Sequence, residues 1–198
     1  MKVAIVKYNA GNIRSVTNAL DRLGIDSVLT DEPEILKSAD KVIFPGVGEA
    51  SSAMNYLNEK HLTEPIRSLT QPVLAICLGM QLLCRSSEEN DTECLGIMPY
   101  RVKRFTGAEI RVPQIGWNAV SSLRTDLFNG VDGDPFVYFA NSYFVEIGKR
   151  TIAAASHGND FSAAIADKNF YGVQFHPEKS GPVGARILEN FLRIGRFE

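Results

Sequence analysis

The sequence predicts an α/β protein with a mixed, mainly parallel central sheet and antiparallel strands appended to it. Three observations carry this. Apolar runs such as Val3-Ala4-Ile5-Val6, Val42-Ile43-Phe44 and Val73-Leu74-Ala75-Ile76 recur through the first half, with helix-period segments between them, the alternation of βαβ units. These runs are apolar throughout rather than at every second position, as in strands covered on both faces. The second half carries closely spaced strand signals, separated by turn residues such as Asn129-Gly130, Asp132-Gly133 and His157-Gly158-Asn159-Asp160.

In chain order, Lys2–Val6 reads as the first buried strand. Residues 12–23 place Ile13, Val16, Ala19, Leu20 and Leu23 at helical spacing, and Gly24 stands where a helix end favours positive φ. Residues 26–29 and 41–44 are strands, the second stopped by Pro45-Gly46. Residues 50–57 and 62–69 read as helices. Residues 73–76 form a strand that runs into a helix over 79–84. Strands are then expected at 100–105, 117–120, 136–139, 143–147, 152–155, 162–166 and 170–175. A helix over 183–194, with apolar Val183, Ile187, Leu188, Phe191, Leu192 and Ile194, closes the chain.

Repeats, low-complexity stretches and linker-like segments are absent from the 198 residues, so one domain over 1–198 is expected. The net charge of −2 and scattered basic residues point to neither nucleic acid nor an anionic membrane as partner. Arg101, Lys103 and Arg104 form the densest basic group; alternation with Val102 marks it as a half-exposed strand. The three cysteines, Cys77, Cys84 and Cys94, have neither disulfide nor zinc-type spacing, so no metal is expected. With no signal-peptide pattern and no long apolar stretch, a cytoplasmic location is expected.

Two distant stretches carry the chemistry. Pro72-Val73-Leu74-Ala75-Ile76-Cys77-Leu78-Gly79-Met80-Gln81 places a thiol where a strand turns into a helix, with small Ala75 and Gly79 on either side. This is a nucleophile-elbow layout with sulfur in place of oxygen. The helix N-terminus favours a thiolate, and the Leu78 N–H is placed for a developing oxyanion. A free cysteine can equally be plain core, the reading given to Cys84; Cys94, beside the polar 88–93 loop, is assigned nothing. Gly172-Val173-Gln174-Phe175-His176-Pro177-Glu178 supplies an imidazole and a carboxylate two residues apart. On an extended strand both side chains would share one side, so Glu178 could orient His176 toward Cys77. His61 and His157 lie in polar contexts and read as surface residues. Phe44-Pro45-Gly46-Val47-Gly48 offers closely spaced N–H groups for a second oxyanion wall, unless it is an ordinary turn.

Cys-Leu-Gly-Met-Gln together with Val-Gln-Phe-His-Pro-Glu resembles the triad, class I glutamine amidotransferases. The resemblance implies their three-layer, flavodoxin-like fold, with Cys77 as nucleophile, His176 as acid and base and Glu178 as orienter. It further implies L-glutamine as substrate and no cofactor. Gly46, Val47, Gly48 and Leu78 would bind the oxyanion. Gln81, Glu89 (with Glu88 as competitor) and the backbone of Asn141, Ser142 and Tyr143 would bind glutamine. Ala75 stands where the family usually has glycine, and Asn141 where it commonly has histidine.

Nearly the whole chain is similar to the glutaminase subunits of imidazole glycerol phosphate synthase. The matching stretches are 8–16, 44–48, Ile115-Gly116-Trp117-Asn118 and the tail through Gly181, with Gln114 replacing a usual histidine. This implies a heterodimer with a barrel-shaped cyclase subunit, bordered by Asn12, Trp117, Asn118 and Tyr138. Trp117, the single tryptophan, could also be core. The alternatives are glutaminase subunits serving pyridoxal phosphate or anthranilate synthesis, a stand-alone cysteine hydrolase, or a non-catalytic binding subunit.

Overall fold

The computed structural model describes every residue except 10, 108 and 196–198; Ala10 of the opening motif therefore lies outside the described residues. The elements are β1 (Val3–Val6), α1 (Ile13–Arg22), β2 (Ser27–Thr30), α2 (Pro33–Ser38), β3 (Lys41–Phe44), α3 (Ala50–Glu59), α4 (Thr63–Arg67), β4 (Val73–Ile76) and α5 (Leu78–Leu83). There follow β5 (Ser86–Ser87), β6 (Thr92–Glu93), β7 (Arg101–Arg104), β8 (Gln114–Ala119), β9 (Phe136–Asn141) and β10 (Tyr143–Val145). The chain closes with β11 (Thr151–His157), β12 (Asn159–Asp167), β13 (Phe170–Val173) and α6 (Gly181–Arg193).

The main sheet has seven strands in the order β11-β12-β13-β4-β3-β1-β2. Its β1, β2, β3, β4 and β13 pairings are parallel, and the β11–β12 and β12–β13 pairings are antiparallel. The mixed, mainly parallel sheet expected from the sequence is therefore present. Its central strands β1, β3 and β4 are buried from end to end because each face feeds a separate core. Ile5, Ile43, Leu74 and Ile76 join Leu20, Phe161, Phe175 and Phe191 on one side. Ala4, Val6, Val42, Phe44, Val73 and Ala75 join Leu57, Ile66 and Met80 on the other. Helix α1 presents Val16, Ala19 and Leu20 to the first core and stops at Gly24, whose φ is +72°.

Appended to the main sheet are a four-stranded sheet, β10-β7-β5-β6, antiparallel except for its parallel β5–β7 pair, and the antiparallel β8–β9 hairpin. Strand β7 buries Val102 and exposes Arg101 and Arg104, as its alternation predicted. Three differences from the sequence reading stand out. Helix α2, started by Pro33, was not anticipated. The two-residue strands β5 and β6 are too short to leave a periodic signal. Strand β13 ends at Val173, so His176 and Glu178 lie beyond it.

The topology places the chemistry. Strands β3, β4 and β13 are adjacent and parallel, with Phe44 beside Ala75 and Val173 beside Ile76. Their carboxyl ends deliver Pro45-Gly46, Cys77 and the segment leading to His176 to one edge, where open α/β sheets bind ligands. Among the described residues, no helix is long and apolar enough to cross a membrane.

Candidate active site

Cys77 is held between β4 and α5 with φ 52° and ψ −108°, a backbone state that costs a non-glycine residue roughly 1–3 kcal/mol. The neighbours over-determine it. The Cys77 N–H donates to the Val173 carbonyl at 2.7 Å, and the Cys77 carbonyl accepts from Gln81 at 3.2 Å. A Cβ on Gly79 would collide with the Phe44 carbonyl oxygen, and one on Gly46 with the Tyr8 hydroxyl, so the two glycines let β3 and the elbow pack against each other. Ala75, where the resemblance leads one to expect glycine, is accommodated opposite Gly172.

His176 and Glu178 do meet, but not by strand alternation. His176 is extended (φ −100°, ψ 95°) and residues 177–179 then coil into one 3₁₀ turn, folding Glu178 back onto the ring. The expected strand geometry is corrected accordingly: Pro177 starts a turn rather than closing a strand. His176 Nδ1 lies 2.8 Å from Glu178 Oε1, and both side chains are buried. His176 Nε2 and Glu178 Oε2 make no hydrogen bond among the described residues. Burial by itself would depress the imidazole pKa, but the side chains of Cys77 and Glu178 outweigh it and push the value up to about 10. Cys84 and Cys94 are buried and unpaired; burial raises both thiols, Cys94 to about 12, and leaves them inert at neutral pH.

A cavity of about 150 Å³ opens beside the sulfur, lined by Val47, Gly48, Cys77, Leu78, Gln81, Glu89, Asn141, Ser142 and Tyr143 together with Pro113 and Ala140. The first nine are site residues named from the sequence; Gly46 packs beneath them. The cavity lies below the roughly 300–1,000 Å³ of sites for drug-sized ligands and suits one small polar molecule. Glu89, not Glu88, faces it: Glu88 accepts from the Arg104 N–H at 2.9 Å. Glu89 Oε2 accepts from the Ala50 N–H at 2.7 Å, and burial raises the Glu89 pKa.

One expectation needs correction. The Leu78 N–H is not free for an oxyanion, because it donates to the Gly46 carbonyl at 3.2 Å. The opening motif fixes this segment from behind. Tyr8 Oη donates to the Pro45 carbonyl, and the Gly11 N–H donates to the Val47 carbonyl at 3.0 Å. Asn12, expected at a partner surface, donates its side-chain amide to Glu178 Oε1. The contact spans 166 positions, and no sequence signal pointed to it.

The two replaced histidine positions, Gln114 and Asn141, are directly paired across β8 and β9. Asn141 Nδ2 donates to the Tyr143 carbonyl at 2.9 Å, holding the 141–143 backbone. Trp117 is 56% exposed, which removes the core reading; it stands edge-on to Tyr138, with Ile115 exposed on the same hairpin. Asn118 donates to the Ser156 carbonyl at 2.8 Å. The Tyr138 carbonyl accepts from the His176 N–H at 2.8 Å, and its N–H donates to Ser180 Oγ at 3.0 Å. His61 is exposed, whereas His157 is half-buried, edge-on to Phe105. Among the described residues there is no cluster of three or more His, Cys, Asp or Glu side chains able to hold a metal ion.

Comparison with known proteins places this arrangement. The sequence model described as "Glutamine amidotransferase class-I" matches residues 4–194. The "Imidazole glycerol phosphate synthase subunit HisH" of Bacteroides fragilis (strain YCH46) is 55% identical over 196 residues, covering 98% of this chain and 100% of that one. The protein of that name from Blochmanniella floridana is 43% identical over 196 residues, with the same coverage. Among solved structures, one titled "Crystal structure of glutamine amidotransferase" superposes with a TM-score of 0.73 at 20% identity, covering 96% of each chain. The PurLQS structure from Thermotoga maritima superposes with a TM-score of 0.69 at 17% identity, covering 96% of this chain and 97% of that one.

Proposed function

Because this chain belongs to the class I glutamine amidotransferases, and within them to the HisH subunits of imidazole glycerol phosphate synthase, we propose that it releases ammonia from glutamine for a separate cyclase subunit. The observation that carries the residue assignment is the convergence of three adjacent parallel strand ends. They bring Val47, Gly48 and Cys77 to the wall of one small cavity, with the buried His176–Glu178 pair close enough behind it for the Cys77 side chain to raise the imidazole pKa.

Cys77 attacks the side-chain amide carbon of glutamine, while His176 accepts the thiol proton and passes it to the departing nitrogen. Ammonia leaves and a γ-glutamyl thioester remains. Water then gives a proton to His176 and attacks the thioester; expulsion of the sulfur releases glutamate and restores the thiol. Glu178 fixes the imidazole tautomer throughout. Glu89 takes the substrate amino group, the 141–143 backbone its carboxylate, and the Gly46–Gly48 segment with Leu78 the oxyanion. The Leu78 N–H donates to the Gly46 carbonyl, so it can serve the oxyanion only once that bond is given up.

The partner would dock on the exposed Ile115–Trp117 hairpin and Tyr138, whose carbonyl is one hydrogen bond from the His176 backbone. The cyclase would join the ammonia to a phosphoribulosyl-formimino aminoimidazole carboxamide ribotide. The products would be imidazole glycerol phosphate for histidine synthesis and an aminoimidazole carboxamide ribotide. The whole pair would work in the cytoplasm.

The test is a division of labour. Cys77→Ala in the complex should abolish synthesis from glutamine and leave synthesis from added ammonium salt at the wild-type level. Loss of both activities in a complex that still assembles would contradict it.

A further inference from the structure

Gln174 interrupts the apolar run before His176 with a carboxamide that is fully buried. It lies just past β13, its N–H donating to the Ala163 carbonyl at 2.8 Å. Its side chain completes a chain of hydrogen bonds that ends on the sulfur. Gln81 Nε2 donates to the Tyr143 carbonyl at 3.1 Å and to Gln174 Oε1 at 3.0 Å. Gln174 Nε2 lies 3.5 Å from Cys77 Sγ. The orientation of the Gln174 amide follows from its neighbours. The Tyr143 carbonyl can only accept, so the Gln81 atom facing it is the nitrogen. That nitrogen requires an acceptor from Gln174, which turns the Gln174 NH₂ toward the sulfur.

We propose that Gln174 is a further catalytic residue for the chemistry at Cys77, donating an N–H to the sulfur whenever it carries negative charge. The inference rests on the reading of Cys77 as nucleophile. A buried thiolate needs a donor as well as a counter-charge. His176 supplies the charge, and its proton must leave for the departing nitrogen. The Gln174 amide does not titrate and stays in place throughout the cycle.

The sulfur is an anion before it attacks, a neutral thioester afterwards, and an anion again when the hydrolytic tetrahedral intermediate expels it. An N–H donor therefore favours the two thiolate forms over the thioester. It stabilises the thiolate as a leaving group and so speeds hydrolysis of the thioester, at the cost of some intrinsic nucleophilicity in the first step. The same carboxamide pins Gln81 on the cavity wall, so one residue couples the sulfur to the surface that receives substrate.

The experiment compares wild type with Gln174→Met, which keeps the length and removes the donor, and Gln174→Asn, which draws the amide back by one methylene. In the full chain bound to its cyclase partner, the rate of Cys77 alkylation by iodoacetamide is followed against pH. The fraction of protein carrying a γ-glutamyl group at saturating glutamine is read by intact mass. The midpoint of the alkylation profile is expected about 1–2 pH units higher in both variants, the size of one hydrogen bond to a charged group. The thioester is expected to accumulate, with kcat and KM for glutamine falling together. An alkylation profile that superimposes on wild type in either variant, in a chain that melts as wild type does, overturns the proposal. If wild-type Cys77 resists alkylation altogether, the nucleophile assignment falls and this inference falls with it.

Discussion

Asn12 and His176 hydrogen-bond to the same oxygen of Glu178, although Asn12 comes from the loop before α1 and lies 166 residues from the carboxylate. The side chain at the helix's first boundary makes no cap for α1 and serves the buried carboxylate instead. With Tyr8 on the Pro45 carbonyl and Gly11 on the Val47 carbonyl, this one loop braces both the proposed oxyanion segment and the far end of the proposed triad.

Asn12→Ala should therefore behave as a change in the catalytic machinery. Losing one hydrogen bond to a charged group, worth about 1.5–3 kcal/mol, should lower kcat for glutamine hydrolysis in the complex about 10- to 100-fold. Asn12 does not line the cavity, so KM for glutamine should stay within about two-fold. An unchanged kcat with weakened partner binding would return Asn12 to the interface.

Glu178→Gln should cost less than Cys77→Ala. It preserves a hydrogen-bonding side chain but removes the charge opposite the imidazolium, and triad precedents put such losses near 10⁴-fold. Cys77→Ala removes the thioester route outright. Steady-state glutaminase rates on folded variants decide this, and equal losses would contradict the orienting role.

The raised His176 pKa makes a stability prediction with a definite sign. The folded value is about 10, against about 6.5 unfolded. The contribution is fully present below about pH 6.5 and is lost as pH rises through about 10. Urea midpoints should fall between those limits in the wild type, and the fall should be shallower in Glu178→Gln. Equal slopes in the two proteins would show that the Glu178 charge does not hold the proton.

Trp117→Ala should weaken the complex and spare the fold. A truncated hot spot costs at least about 2 kcal/mol of binding, near 30-fold in Kd, while an exposed substitution shifts folding stability by about 0.5 kcal/mol at most. Calorimetric titration with the cyclase and urea unfolding of the free chain separate the two. A destabilised chain with unchanged affinity would contradict the assignment.

The proposed triad could be picked out because each reactive residue follows an apolar strand, and parallel strands lying side by side deliver their ends to one place. The lining of the cavity was legible through the Pro-Gly-Val-Gly, Met-Gln and Asn-Ser-Tyr stretches. What escaped was tertiary. Strand periodicity suggested the right pair for the wrong reason, since a 3₁₀ turn brings Glu178 to His176. The state of the Leu78 N–H depends on where the Gly46 carbonyl points, which no spacing encodes. Gln174 drew no reading of its own, because its partners Cys77 and Gln81 come from a distant strand end and helix. Asn12 looked like a helix start until Glu178 arrived from the far end of the chain.

The most direct test of a partner-gated glutaminase is the rate of glutamate release from glutamine. It should be measured on the purified chain alone, and again with a cyclase subunit carrying its nucleotide substrate or product. A low basal rate that rises strongly in the loaded complex is the predicted result. A rate indifferent to that partner would contradict the account, leaving the triad chemistry but assigning the ammonia to another acceptor.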